Sequence, residues 1–175
     1  MAVWCKVLGG LLVFGSCTLC GFWLAWQDTY RTGELAALRK AFVLLKGEIQ
    51  YALAPLPEAF ADIAARTEAQ AARFFLDMAT HLALRNGDSA ADVWAAASHS
   101  LQKASHLSEE DMQCLHLLGQ SFGYLDGTTQ AQGLDLAIAY IDETTASLQK
   151  KSAANGRMYR SVGMLCGALI AIALL

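Results

Sequence analysis

GELAALRKAFVLLKGEIQYALAPLP, residues 33–57, decides the fold class. Leu35, Leu38, Phe42, Leu45, Ile49 and Ala52 recur at spacings of three and four, which places them on one stripe of an α-helix facing a partner. Arg39 and Glu48 flank the stripe, where charges commonly set helix pairing. The helix is interrupted at Ala54-Pro55-Leu56-Pro57, because each proline lacks an N–H donor and disfavours α geometry in the residue before it.

The pattern continues outward. Phe60, Ile63, Phe74, Phe75, Met78 and Leu82 are candidate core residues of the helical stretch after Pro57, which stops at Arg85-Asn86-Gly87-Asp88, a turn sequence. Ser89 or Asp88 is placed to cap a helix through Trp94 to Lys103, and Ser108 with Asp111 resembles a capping box for the next, ending near Gly123. After the turn Asp126-Gly127-Thr128-Thr129, the stripe Leu134, Ile138, Ile141, Thr145, Leu148 and Ser152 runs on with no further proline. It predicts one helix of about 45 residues, ~70 Å long at ~1.5 Å per residue. No strand-like alternation is present, so the expectation is all-α.

Of the 175 residues, 55% are hydrophobic and 17% charged, and the net charge is −3. That balance gives no electrostatic footprint for nucleic acid. The apolar excess sits at the ends. Val7 to Trp26 is uncharged and long enough to cross a bilayer; Ser161 to Leu175 is shorter and borrows length upstream, where Arg157 and Arg160 can snorkel. The expected division is therefore an N-terminal transmembrane helix over 1–26, an all-helical domain over 27–157 and a C-terminal transmembrane helix over 158–175. Arg31, Arg39 and Lys40 follow the first span and Lys150, Lys151, Arg157 and Arg160 precede or enter the second, so the positive-inside rule sets the middle of the chain in the cytosol. The alternative is a secreted or lipid-anchored helical binding protein whose first segment is cleaved. Trp23 and Trp26 argue for an interface belt instead. Gly163, Gly167 and Ala171 line one face of the second span and permit close helix packing.

Catalytic and cofactor patterns are missing from the sequence. Cys17-x-x-Cys20 has redox or zinc half-site spacing but lies inside the apolar run, with no second ligand pair. His81, His99, His106 and His116 form no H-E-x-x-H, and there is neither a G-x-S-x-G elbow nor a phosphate-binding glycine loop. The expectation is a protein that is not an enzyme, with no cofactor and no metal. Glu48 and Tyr51, three apart on one helical face before the proline break, fit either a catalytic pair or, as favoured here, a structural or interfacial one, in which Glu48 bonds backbone freed by Pro55 and Pro57 or pairs with Arg39 on a neighbouring helix.

The stretch LRKAFVLLKGEIQYALAPLPEAF, residues 38–60, resembles the signature of the stage III sporulation protein AB family of endospore-forming Firmicutes. Leu38, Arg39, Leu45, Glu48, Ile49, Tyr51, Pro55, Leu56 and Ala59 carry the match. Trp94 adds to it, and so do Gly119, Gly123, Asp126, Gln130, Leu136 and Ala137 in residues 117–141. Gly47 departs from the pattern, where a better helix former is usual, and is expected to loosen the helix locally. The resemblance implies a helical bundle similar to the cytoplasmic F-type platform domains of type II secretion. It implies integral placement in the mother-cell membrane facing the forespore, in the transenvelope channel complex that sustains development after engulfment. The implied partners are a stage III sporulation protein AA-like ATPase on the cytosolic side, other membrane components of the complex and membrane lipid; homo-oligomerisation stays open. Arg39, Glu48, Tyr51 and Pro55 are the residues expected to bind a partner or hold the bundle.

Overall fold

The computed structural model describes residues 28–52, 55–84, 89–123 and 126–174, with side chains through Lys151 apart from Ala52 and Ala69. All the regular structure among them is helical. The first helix, α1, covers residues 28–47 and passes into a π-helical turn, Glu48–Ala52. It is followed by α2 (Leu56–Arg66), α3 (Ala69–Ala83), α4 (Ala90–Ala104), α5 (Glu109–Ser121) and α6 (Gly127–Leu174), the last a single helix of 48 residues.

Four of the helices, α2, α4, α5 and α6, begin for a local reason. Pro55 occupies the cap position of α2, and its carbonyl accepts from the N–H groups of Glu58 and Ala59 at 3.0 Å each. Pro57 falls in the first turn, where a missing N–H costs nothing. Ser89 caps α4 through a reciprocal box with Asp92, and Ser108 caps α5 through the same device with Asp111. At the start of α6 the Asp126 carboxylate accepts from the backbone N–H and hydroxyl groups of Thr128 and Thr129. The expected caps at Ser89 and Ser108 agree with these positions; of the expected turn at Asp126, residues 127–129 already belong to α6, and the expected turn over 85–88 lies outside the described residues.

The chain divides into two units, Arg31–Ala146 and a second made of residues 1–30 with 147–175. Within Arg31–Ala146, α2 packs on α3, α3 on α4 and α4 on α5. The stripe residues Leu35, Leu38, Phe42 and Leu45 of α1 are buried, as are Phe60, Ile63, Phe74, Phe75 and Met78; Leu82 is half-buried. Trp94 is the hub. Its ring stacks on Phe122 at 4.9 Å, takes the edge of Phe74 at 4.9 Å, and lies 6.4 Å from Phe42, Phe60 and Phe75, so one indole ties α1 through α4 to the end of α5. The indole Nε1 donates to the Leu115 carbonyl at 2.8 Å. A side chain on Gly119 would collide with the indole, so the glycine is what lets Trp94 reach the α5 backbone.

Among the described residues no helix is long and apolar enough to cross a membrane. The two expected spans, 1–26 and 158–175, lie outside the residues whose side chains are described, and so do Gly163, Gly167 and Ala171.

Candidate functional site

Two groups of polar residues stand out, one exposed at the proline corner and one buried where α1, α5 and α6 meet. At the corner, α-geometry ends at Gly47 and the π turn begins at Glu48. Nothing lies within 4 Å of the position a Gly47 Cβ would take, so packing does not require glycine there. Glycine has weak helix propensity, and the α-to-π change falls directly after it, at Glu48, seven residues ahead of Pro55 in the chain. The π turn closes i→i+5 rings and fits more residues into each turn. Three residues then fall well short of a full turn, so Glu48 and Tyr51 do not share a face as they would on an α-helix. Tyr51 points to solvent and is 84% exposed. Glu48 turns toward α2, where its Oε1 lies 4.0 Å from Arg66 Nη1, and Arg66 also holds Asp62 at 2.9 Å.

Arg39 does not pair with Glu48, which corrects one expected use of these residues. It sits two and a half turns earlier on the same helix and reaches across to Asp142 of α6, with Nε on Oδ1 and Nη2 on Oδ2 at 2.5 and 3.1 Å. Lys46, seven residues on, meets Asp135, seven residues back. The two pairs fix α1 and α6 antiparallel in a heptad register. Each guanidinium or ammonium is matched to a carboxylate, and Asp142 is held below the usual carboxylate range first by its hydrogen bond with Arg39.

The buried group is the one that sequence reasoning missed. Asp111, whose side chain is 1% exposed, accepts from Arg31 Nε at 2.7 Å and Nη2 at 3.0 Å, from Tyr140 Oη at 2.9 Å and from the Ser108 N–H at 2.8 Å. Arg31 Nη2 also donates to Ser108 Oγ at 2.8 Å. Burial alone pushes this carboxyl up, but the bonds from Arg31, Ser108 and Tyr140 outweigh it and hold Asp111 below its ordinary value. Burial and the adjacent carboxylate push the Tyr140 phenol up, keeping it a donor. The signal was available: Arg31 lies four residues before Leu35 on the buried stripe, and a cation in that register needs a buried anion.

Neither group is arranged for chemistry. Asp111 has its acceptor sites filled by three residues, and Glu48 faces a cation. Among the described residues no cluster of three His, Cys, Asp or Glu could hold a metal ion. Cys114 is half-buried and its thiol is pushed up to about 11 by burial and by Asp111, far from a reactive thiolate.

Comparison with known proteins places this bundle. The chain is 26% identical over 170 residues to stage III sporulation protein AB of Bacillus subtilis (strain 168), covering 97% of this chain and 99% of that one. A solved structure of stage III sporulation protein AB (SpoIIIAB) superposes with a TM-score of 0.66 at 22% identity, covering 71% of this chain and 97% of the other, which shows a shared fold. The family model for stage III sporulation protein AB matches residues 6–175, the Glu48–Pro55 corner and the Asp111 cluster included, and the chain belongs to that sporulation family.

Proposed function

We propose that this chain is a non-enzymatic, membrane-anchored assembly component of the channel complex between mother cell and forespore, needed for endospore development after engulfment. The family match over residues 6–175 carries this reading. In it, residues 1–26 and 158–175 are the membrane spans, and the helical unit faces the mother-cell cytosol in the manner of a type II secretion F-type platform. The apolar runs of the sequence and its lysine and arginine bias support that topology. Among the described residues the buried carboxylate, Asp111, is engaged by Arg31, Tyr140 and Ser108, which supports a structural use of that site over a catalytic one.

Within this reading the corner residues divide their work. Arg39 holds α1 to α6 through Asp142, and Pro55 starts α2. Tyr51, large, aromatic and turned to solvent away from Glu48, is the residue assigned to a partner, the stage III sporulation protein AA-like ATPase. Aromatic side chains of this kind dominate interface energetics. The test is affinity capture from sporulating cells with a tagged full-length chain. Wild type recovers the ATPase and other membrane components of the complex. Tyr51→Ala, with unchanged thermal stability, recovers the membrane components and loses the ATPase. Failure of the wild-type chain to recover either class overturns the proposed complex.

A further inference from the structure

The outward faces of α1 and α6 lie side by side, and nothing among the described residues covers them. On α1, Ala36, Lys40 and Val43 recur at spacings of four and three, opposite the buried Leu35, Leu38 and Phe42. On α6, Leu136, Ala139 and Glu143 recur in the same way, opposite the buried Leu134, Ala137 and Ile141. Val43 is 47% exposed and Leu136 74%, an apolar seam with small residues around it.

The ion pairs Arg39–Asp142 and Lys46–Asp135 fix the relative heights of the two helices. On that scale Lys40 is level with Ile141, and Glu143 lies two residues away, about 3 Å at ~1.5 Å per residue. The four paired charges neutralise one another within the chain. Lys40 and Glu143 do not: both are exposed and enter no ion pair among the described residues. One edge of the face therefore carries an unmatched cation, and the other an unmatched anion at nearly the same height.

That pattern is self-complementary. A half-turn about an axis parallel to the helices lays α1 of one copy on α6 of the other and leaves every height unchanged. It brings Lys40 to Glu143 twice and closes the Val43 and Leu136 seams against each other, giving a four-helix arrangement of the isologous kind. Both copies then point the same way. We propose that this face is a docking surface for a second copy of the chain. Its named residues cover roughly 14 Å of height at ~1.5 Å per residue and about 20 Å of width, two helices of ~10 Å each, or about 280 Å². Standard interfaces bury about 800 Å² per partner. The association is therefore reversible and weakened by salt.

Sedimentation velocity of the full-length chain, in one buffer and detergent throughout and over a hundredfold range of concentration, tests this. Wild type shows a reversible monomer–dimer equilibrium. Lys40→Glu or Glu143→Lys alone sets like charges opposite each other twice and raises the dissociation constant about tenfold or more, with unchanged circular dichroism. The double variant Lys40→Glu/Glu143→Lys restores the opposite-charge pairs and returns dimerisation to near wild type. A chain that stays monomeric overturns the proposal, as does a dimer indifferent to both reversals, which would form through another surface. Loss in the single variants without recovery in the double one also overturns it, and would assign the face to a different partner.

Discussion

Replacing Asp111 by alanine removes the one anion on which Arg31, Tyr140 and the Ser108 N–H converge. Breaking a buried ion pair by deleting one partner costs about 3–5 kcal/mol, because the other charge is left uncompensated. Arg31 is 21% exposed and can recover some hydration, which puts the expected cost near the lower end, about 3 kcal/mol. For a helical unit of this size that is a fall in Tm of roughly 12 °C, at ~4 °C per kcal/mol. Urea unfolding of the full-length chain followed by circular dichroism measures it. Arg31→Ala should cost a similar amount, and the double variant far less than the sum, since both changes break one cluster. The pH dependence has a definite sign. Asp111 is held below its unfolded value near ~3.9, so its contribution is complete above about pH 4 and is lost as pH falls through the folded value. The Asp111→Ala variant should lack this part of the acid transition. An Asp111→Ala cost below about 1 kcal/mol, or strictly additive single variants, would refute the reasoning.

Gly119→Ala drives a methyl into the Trp94 indole and should destabilise by about 2–3 kcal/mol, with a change in near-ultraviolet dichroism as the ring leaves Phe122. Gly47→Ala meets open space and should stabilise by about 0.5–1 kcal/mol in the same urea assay; a loss of stability would show that the π turn needs the glycine. Cys114 in the native chain should resist iodoacetamide at pH 8 and react once unfolded in urea, as read by peptide mass spectrometry.

What was legible in the sequence was whatever depends on neighbours in the chain. The stripe Leu35, Leu38, Phe42, Leu45 follows from helical periodicity, and the Ser89 and Ser108 caps follow from residues three apart. Asp111 shows the boundary of that reading. Its cap to Ser108 was visible, but Arg31 is 80 positions away and Tyr140 is 29, and no local rule joins them. Arg39 lies on the flank of its stripe as expected, but the one anion offered among the alternatives for it, Glu48, is not its partner; Asp142 is 103 positions off, beyond any local rule. The divergence of Glu48 and Tyr51 depends on a change from α to π geometry that a periodicity of 3.6 does not describe.

Deleting the gene in its native host, with heat-resistant spores counted and the stage of arrest scored by microscopy, tests the central claim most directly. The account predicts arrest after engulfment and full rescue by an intact copy supplied in the mother cell. Normal numbers of heat-resistant spores, in a genome with no second member of the family, would contradict it.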